Sequence, residues 1–124
     1  MTIFAEAADI TDAVLTGRVR EEELTAGNEY VSRLAASFGV ESPAVTPLTK
    51  RLAAVIACRE CCLALVGTDA TVQLDGRQDD IYERKYKLYA SEAEAIEKRL
   101  TKADFTDDTE ERGAWAQTIT IRRA

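Results

Sequence analysis

Histidine is absent from the 124 residues. With it goes the side chain that most often trades protons near neutral pH and the commonest metal ligand, so catalysis here would need carboxylates, lysine or cysteine with shifted pKa values. Cysteine is scarce and odd in number, three in all. A complete intramolecular disulfide framework is therefore excluded, which fits a reducing compartment. No glycine-rich phosphate loop is present, and residues 69–80 lack the ordered oxygen ligands of a calcium loop. Arg51 and Arg59 interrupt the longest apolar stretch, which stays short of the roughly 18 residues a spanning helix needs. The start, Met1-Thr2-Ile3-Phe4-Ala5-Glu6, carries no basic leader, so the expectation is synthesis in the cytoplasm without export. Positive charge is also in deficit: 16 basic against 22 acidic residues leave a net charge of −6. Tight non-specific nucleic-acid binding requires a cationic surplus, and this chain does not have one.

What is present is enough apolar material to fold. Hydrophobic residues make up 46% of the chain and charged ones 31%, far from the composition of disordered segments. One domain of this length buries roughly two-thirds of its unfolded surface and needs no staples. The expected fold class is mainly α: a small helical bundle of about four helices with an extended or β-strand C-terminal tail.

Residues Thr2 to Leu15 pair a short extended start at Ile3-Phe4 with a weakly helical run, Ile10, Val14 and Leu15 sharing a face and Gly17 closing it. A second helix opens at Glu21-Glu22-Glu23, where carboxylates suit the helix dipole, and continues through Leu24, Val31, Leu34 and Phe38 to Gly39. Gly27 and Asn28 weaken it, so its first turn is expected to be a candidate separate element. Thr46-Pro47 then supplies an N-cap followed by proline at the first helical position. Leu48, Leu52, Val55, Ile56, Leu63 and Val66 recur at three- and four-residue steps, with Ala53, Ala54, Ala57 and Ala64 small enough for close approach, which predicts the central core helix ending at Gly67. Residues 67–78 read as a loop with an extended piece at Thr71–Leu74. From Asp79 to about Lys102 a long helix carries one apolar seam, Tyr82, Tyr86, Tyr89, Ala93, Ile96 and Leu100, expected to pack on the Pro47 helix. No internal repeat or low-complexity tract interrupts the pattern.

Four constellations could carry chemistry. Cys58-x-x-Cys61-Cys62 has the spacing that begins a zinc site or a redox pair, but no histidine or second cysteine pair completes four ligands, and mid-helix cysteine packs as a small hydrophobe. Asp79-Asp80 and Asp107-Asp108 are adjacent carboxylates better read as a helix cap or solvated surface. Tyr82, Tyr86 and Tyr89 could stack bases with Arg84, Lys85 and Lys87 interleaved, but at helical spacing the tyrosines line a packing face while the basic residues point elsewhere. No catalytic, cofactor-binding or metal-binding residue is assigned, and the chain is not expected to be an enzyme.

The fourth constellation is the tail. Five of the eight residues from Asp104 to Glu111 are acidic, and beyond them Thr118-Ile119-Thr120-Ile121 alternates as a strand does. A lone strand gains hydrogen bonds only by adding to another sheet edge, from Ile3-Phe4 or from a neighbouring chain. Domains are thus expected at 1–103, the helical bundle, and 104–124, an acidic linker and docking tail whose partner-binding residues are Trp115, Ile119, Ile121, Arg122 and Arg123.

Pro47-Leu48 opening a helix through Leu52, Ala53, Ile56 and Ala57, a short polar loop, and then Tyr82-Glu83-Arg84-Lys85-Tyr86 leading into a long helix resemble the helical head-tail connector (head-completion) proteins of tailed bacteriophages and prophages. The resemblance spans roughly Thr2 to Thr101, with Lys85-Tyr86 standing where that family has an Arg-Tyr or Lys-Tyr pair. It implies a structural virion protein of the neck, a ring of identical subunits beneath the portal protein, no cofactor, DNA passing through the ring, and a tail contacting a neighbouring neck or tail protein. The basic end Arg122-Arg123 departs from the family pattern. The competing reading is a small cytoplasmic helical regulator or protein-binding module, and a third, a thiol-dependent enzyme, requires a reactive cysteine.

Overall fold

The computed structural model describes residues 2–67, 72–74 and 77–106, with the backbone alone for 72–74 and 77–79. Among these the chain is mainly helical: α1 (Glu21–Ser37), α2 (Pro47–Leu65), α3 (Ile81–Arg99) and a single turn, α4 (Ala103–Thr106). Two three-residue strands, β1 (Val72–Leu74) and β2 (Arg77–Asp79), pair antiparallel between α2 and α3. The extended piece expected near Leu74 is therefore half of a hairpin whose second half overlaps the expected helix start at Asp79.

Helix α1 begins where three glutamates meet the positive end of the helix dipole, and Glu23 also accepts the Arg20 backbone N–H at 2.7 Å. It runs unbroken through Gly27 and Asn28, so the separate first turn is a misreading. The reason is tertiary: a Cβ on Gly27 would lie 2.4 Å from the Ala53 carbonyl oxygen, and the missing side chain is what lets α1 approach the α2 backbone. The loss of helix propensity is offset by that close contact. Since Cys61 Sγ near the end of α2 donates to the Arg18 carbonyl just before α1, the two helices run antiparallel.

Helix α2 starts as expected. Thr46 Oγ1 accepts from Thr49 N, Pro47 occupies the first turn, and Val66-Gly67 ends the helix with Gly67 at φ +81°. Leu52, Val55 and Ile56 are buried. Leu63 and Val66 are not: they are 52% and 38% exposed, and Ala64 is exposed as well. Leu63 continues the face of Leu52 and Ile56, but no described element covers that face at the C-terminal end, where burial passes instead to Cys58, Cys61 and Cys62.

The seam of α3 packs on α2 within one chain, burying Tyr82, Ala93 and Ile96, with Leu100 at its C-cap. Asp80 caps the helix, its carboxylate accepting from Tyr82 N and Gly67 N, so this aspartate is a structural cap that also ties the end of α2 to the start of α3. Past Leu100 the packed body runs on through α4. Phe105 is fully buried with its ring 5.4 Å from that of Phe38, Ala44 N donates to the Phe105 carbonyl, and Thr46 Oγ1 donates to the Asp104 carbonyl at 3.0 Å. Phe105 thus anchors the start of the segment that its acidic composition marks as a linker. The remainder of that segment, 107–124, lies outside the described residues.

Residues 2–20 are not the weak helix that Ile10, Val14 and Leu15 suggested. They form an extended entry, a 3-10 turn at Ala7–Asp9 and a turn at residues 13–18 that contains Gly17, φ +83°. Ile10 and Leu15 are buried all the same, without a helix to align them.

Candidate functional site

Apolar side chains sort into two clusters. The larger joins α1, α2, α3 and α4 through Val31, Ala35, Leu52, Ile56, Ile96 and Phe105, with Phe4 and Ala5 inserted from the N-terminal segment. The smaller, toward the end of α2 and the start of α3, contains Ile10, Leu15, Cys58, Cys61, Cys62 and Tyr82. Its cover is residues 7–19, which lie as a strap over α2 and α3.

The strap is held by polar side chains. At its root, Asn28 Oδ1 accepts from Phe4 N at 2.8 Å and Ala5 N at 3.0 Å, while Asn28 Nδ2 donates to the Ala5 carbonyl. Successive N–H groups of a regular strand point to opposite edges, whereas here two converge on one oxygen. The Ile3-Phe4 piece is thus an anchored entry. Nothing in the sequence flags Asn28 except that a polar residue costing helix propensity sits on an otherwise core-facing stretch.

Midway along the strap, Asp12 accepts from Val14 N at 2.8 Å, from Lys85 Nζ at 2.8 Å and from the Tyr89 hydroxyl. Burial pushes the Asp12 carboxyl up, but the hydrogen bonds from Lys85, Tyr89 and Val14 outweigh it and leave the group below the ordinary carboxylate value. The same carboxylate helps raise Tyr89 above the usual phenol range, second to burial. Lys85 was expected to point away from the seam; it turns into the site because a half-buried carboxylate waits there. Asp9 pairs with Lys50 at 3.4 Å and Arg51 with Glu92 beside it. Together with Ala54, Val55, Cys58 and Tyr89 these charges border an open cleft of about 530 Å³ between the strap and the two long helices. Every charge at its rim has a partner in the fold, so the cleft offers no free acid or base.

The three cysteines lie beneath the strap, free and buried. Burial, then the charge of Asp12, pushes the Cys58 thiol up to about 12, and burial pushes Cys62 to about 11; Cys61 is raised as well, again chiefly by burial. A nucleophilic cysteine needs the opposite shift. Among the described residues no group of histidine, cysteine, aspartate and glutamate is placed to hold a metal ion. No described helix is long and apolar enough to cross a membrane.

The other sequence-derived candidates separate. Tyr82 is buried, with the Arg18 guanidinium 5.9 Å from its ring, and Tyr86 and Tyr89 are half-buried against the smaller cluster, so the tyrosines form no exposed stacking row. The tail residues Trp115, Ile119, Ile121, Arg122 and Arg123 lie outside the described residues. Exposed apolar side chains that the sequence did not single out include Ile81 and Leu88 on α3, on a separate helix from the exposed Leu63 of α2 and Val66 at its C-cap.

No protein-family model, no curated protein and no solved structure matches this chain.

Proposed function

We propose that the chain is a structural subunit, a head-tail connector protein that assembles as a homo-oligomeric ring between the portal and the tail of a phage neck. One observation carries the reading: the residues behind the resemblance are packing residues. Leu52, Ala53, Ile56 and Ala57 are buried on α2, and Lys85-Tyr86 ties α3 to the strap. Charged groups whose partners are internal leave the chemistry to surfaces. In this proposal the sequence beyond the Phe105 anchor supplies the docking element, with Trp115, Ile119, Ile121, Arg122 and Arg123 engaging a neighbouring subunit or the next neck protein by strand addition. An acidic chain suits a passage through which DNA must slide without sticking.

The test is native mass measurement of the full chain, alone and with a candidate portal protein. The expected result is a closed ring or a stoichiometric complex. A monomer at every concentration that ignores the portal overturns the reading.

A second reading, a binding module acting as monomer or dimer, is favoured by the exposed Leu63, Val66, Ile81 and Leu88, which a small protein leaves uncovered where a partner covers them. A dimer with no larger species would select it.

A further inference from the structure

The smaller cluster has an unusual construction: half of its wall is a helical pair and the other half is a non-helical strap. Helix α2 and helix α3 contact each other along their length, and Gly67–Asp80 fastens their adjoining ends without any help from residues 7–19. The strap, in contrast, is attached at discrete points. Its root is clamped by Asn28 and its far end runs into α1 at Glu21; between them Asp9–Lys50, the Asp12 cluster, the Arg18 contacts with Cys61 and Tyr82 and the apolar insertion of Ile10 and Leu15 hold it down. The strap's backbone hydrogen bonds are short-range turns within itself, and none of them joins it to a helix. A segment with local backbone bonding that is held to its neighbours by separate side-chain contacts opens below the global unfolding free energy.

We propose that residues 7–19 open as a unit while the helices stay folded, with Asp12 as the latch, and that this opening exposes Cys58, Cys61 and Cys62 together with the apolar groove between α2 and α3. Both ends of the strap remain tethered when it lifts, so closing is local and the chain does not unfold. Asp12 is the latch because three bonds converge on it from two elements: Lys85 and Tyr89 of α3, and Val14 of the strap's own turn. Cys58 and Cys62 of α2 face it across the cluster. The proposal does not depend on the connector reading.

Three cysteines under the strap make the opening directly readable. The full chain is labelled with N-ethylmaleimide at neutral pH across a series of sub-denaturing urea concentrations, beside circular dichroism of global unfolding. Labelling through strap opening depends on urea much more weakly than global unfolding does, because it exposes far less surface. Losing the charged hydrogen bonds in Asp12→Ala should speed labelling about tenfold or more. Val31→Ala, which weakens the larger cluster away from the strap, should lower the melting temperature and leave low-urea labelling unchanged. If labelling in the parent has the full urea dependence of unfolding, or if Val31→Ala speeds it as much as Asp12→Ala does, the thiols are reached only through global unfolding and the proposal is overturned. The urea dependence of the parent decides the matter even if Asp12→Ala does not fold.

Discussion

The two clusters bury apolar side chains by different means. Around Leu52 and Ile96 four helical elements meet, backbone polar groups are satisfied inside each helix, and α1 comes so close that Gly27 has no room for a methyl. Around Cys58 and Tyr82 one wall is a strap whose backbone closes only local turns on itself and which is fastened to the helices through side chains, Asp12 above all. Helix packing of the first kind is dense and cooperative. Covering of the second kind concentrates its stability in a few polar bonds, which single substitutions or a change of pH can remove.

The comparison breaks most severely at Ile96, where Ile96→Asp puts an unpaired carboxylate into the larger cluster. A loss of about 4 kcal/mol is expected, seen as a protein that no longer melts cooperatively. If the variant instead melts like the parent but changes its oligomeric state, the seam belongs to a subunit contact.

Gly27→Ala comes next. The methyl meets backbone and not a yielding side chain, so α1 must shift, at an expected cost of about 2 kcal/mol in urea unfolding despite alanine's better helix propensity. A stabilised variant would mean that the close approach is dispensable.

Acid sharpens the contrast. The Asp12 and Glu23 carboxyls both lie below their ordinary values, burial opposing but bonds from Lys85, Tyr89 and Val14 in one case and from Arg20 in the other prevailing. A carboxylate with a lowered folded pKa contributes stability that is fully present above its unfolded value and is lost as pH falls through the folded one. Both groups border the smaller cluster, Asp12 facing Cys58 and Cys62 of α2, and Glu23 facing Cys61. Acidification below the ordinary carboxylate range should therefore expose the thiols, read with dithiodipyridine, before helical ellipticity falls. Simultaneous loss of both signals would show that the clusters are one cooperative unit.

The smallest effect is expected from truncation after Gly113. Phe105 already closes the body on Phe38, so the melting temperature should change by no more than about 0.5 kcal/mol of stability implies, while ring formation or portal binding is lost. Unfolding on truncation would place Trp115, Ile119 and Ile121 in the core and end the docking-tail proposal.

Periodicity and capping made the helices legible. Thr46-Pro47 and the step from Tyr82 to Leu100 specify α2, α3 and the face they share, because those signals arise within one turn of backbone and do not depend on distant residues. The three cysteines were legible as packing residues for the same reason: their helical position puts them beside the buried stripe. Whether a stripe is covered along its whole length is a different matter. Leu52, Ile56 and Leu63 are equivalent in the pattern and differ only in what lies opposite them, which leaves Leu63 half exposed. Tertiary structure alone decided that Gly27 is a contact and not a break, that Asn28 holds the backbone of Phe4 and Ala5, that Asp12 binds Lys85 and Tyr89, and that Phe105 closes the bundle. In each case the partner is distant in sequence, from 23 residues between Asn28 and Ala5 to 77 between Asp12 and Tyr89, and a local pattern carries no record of it.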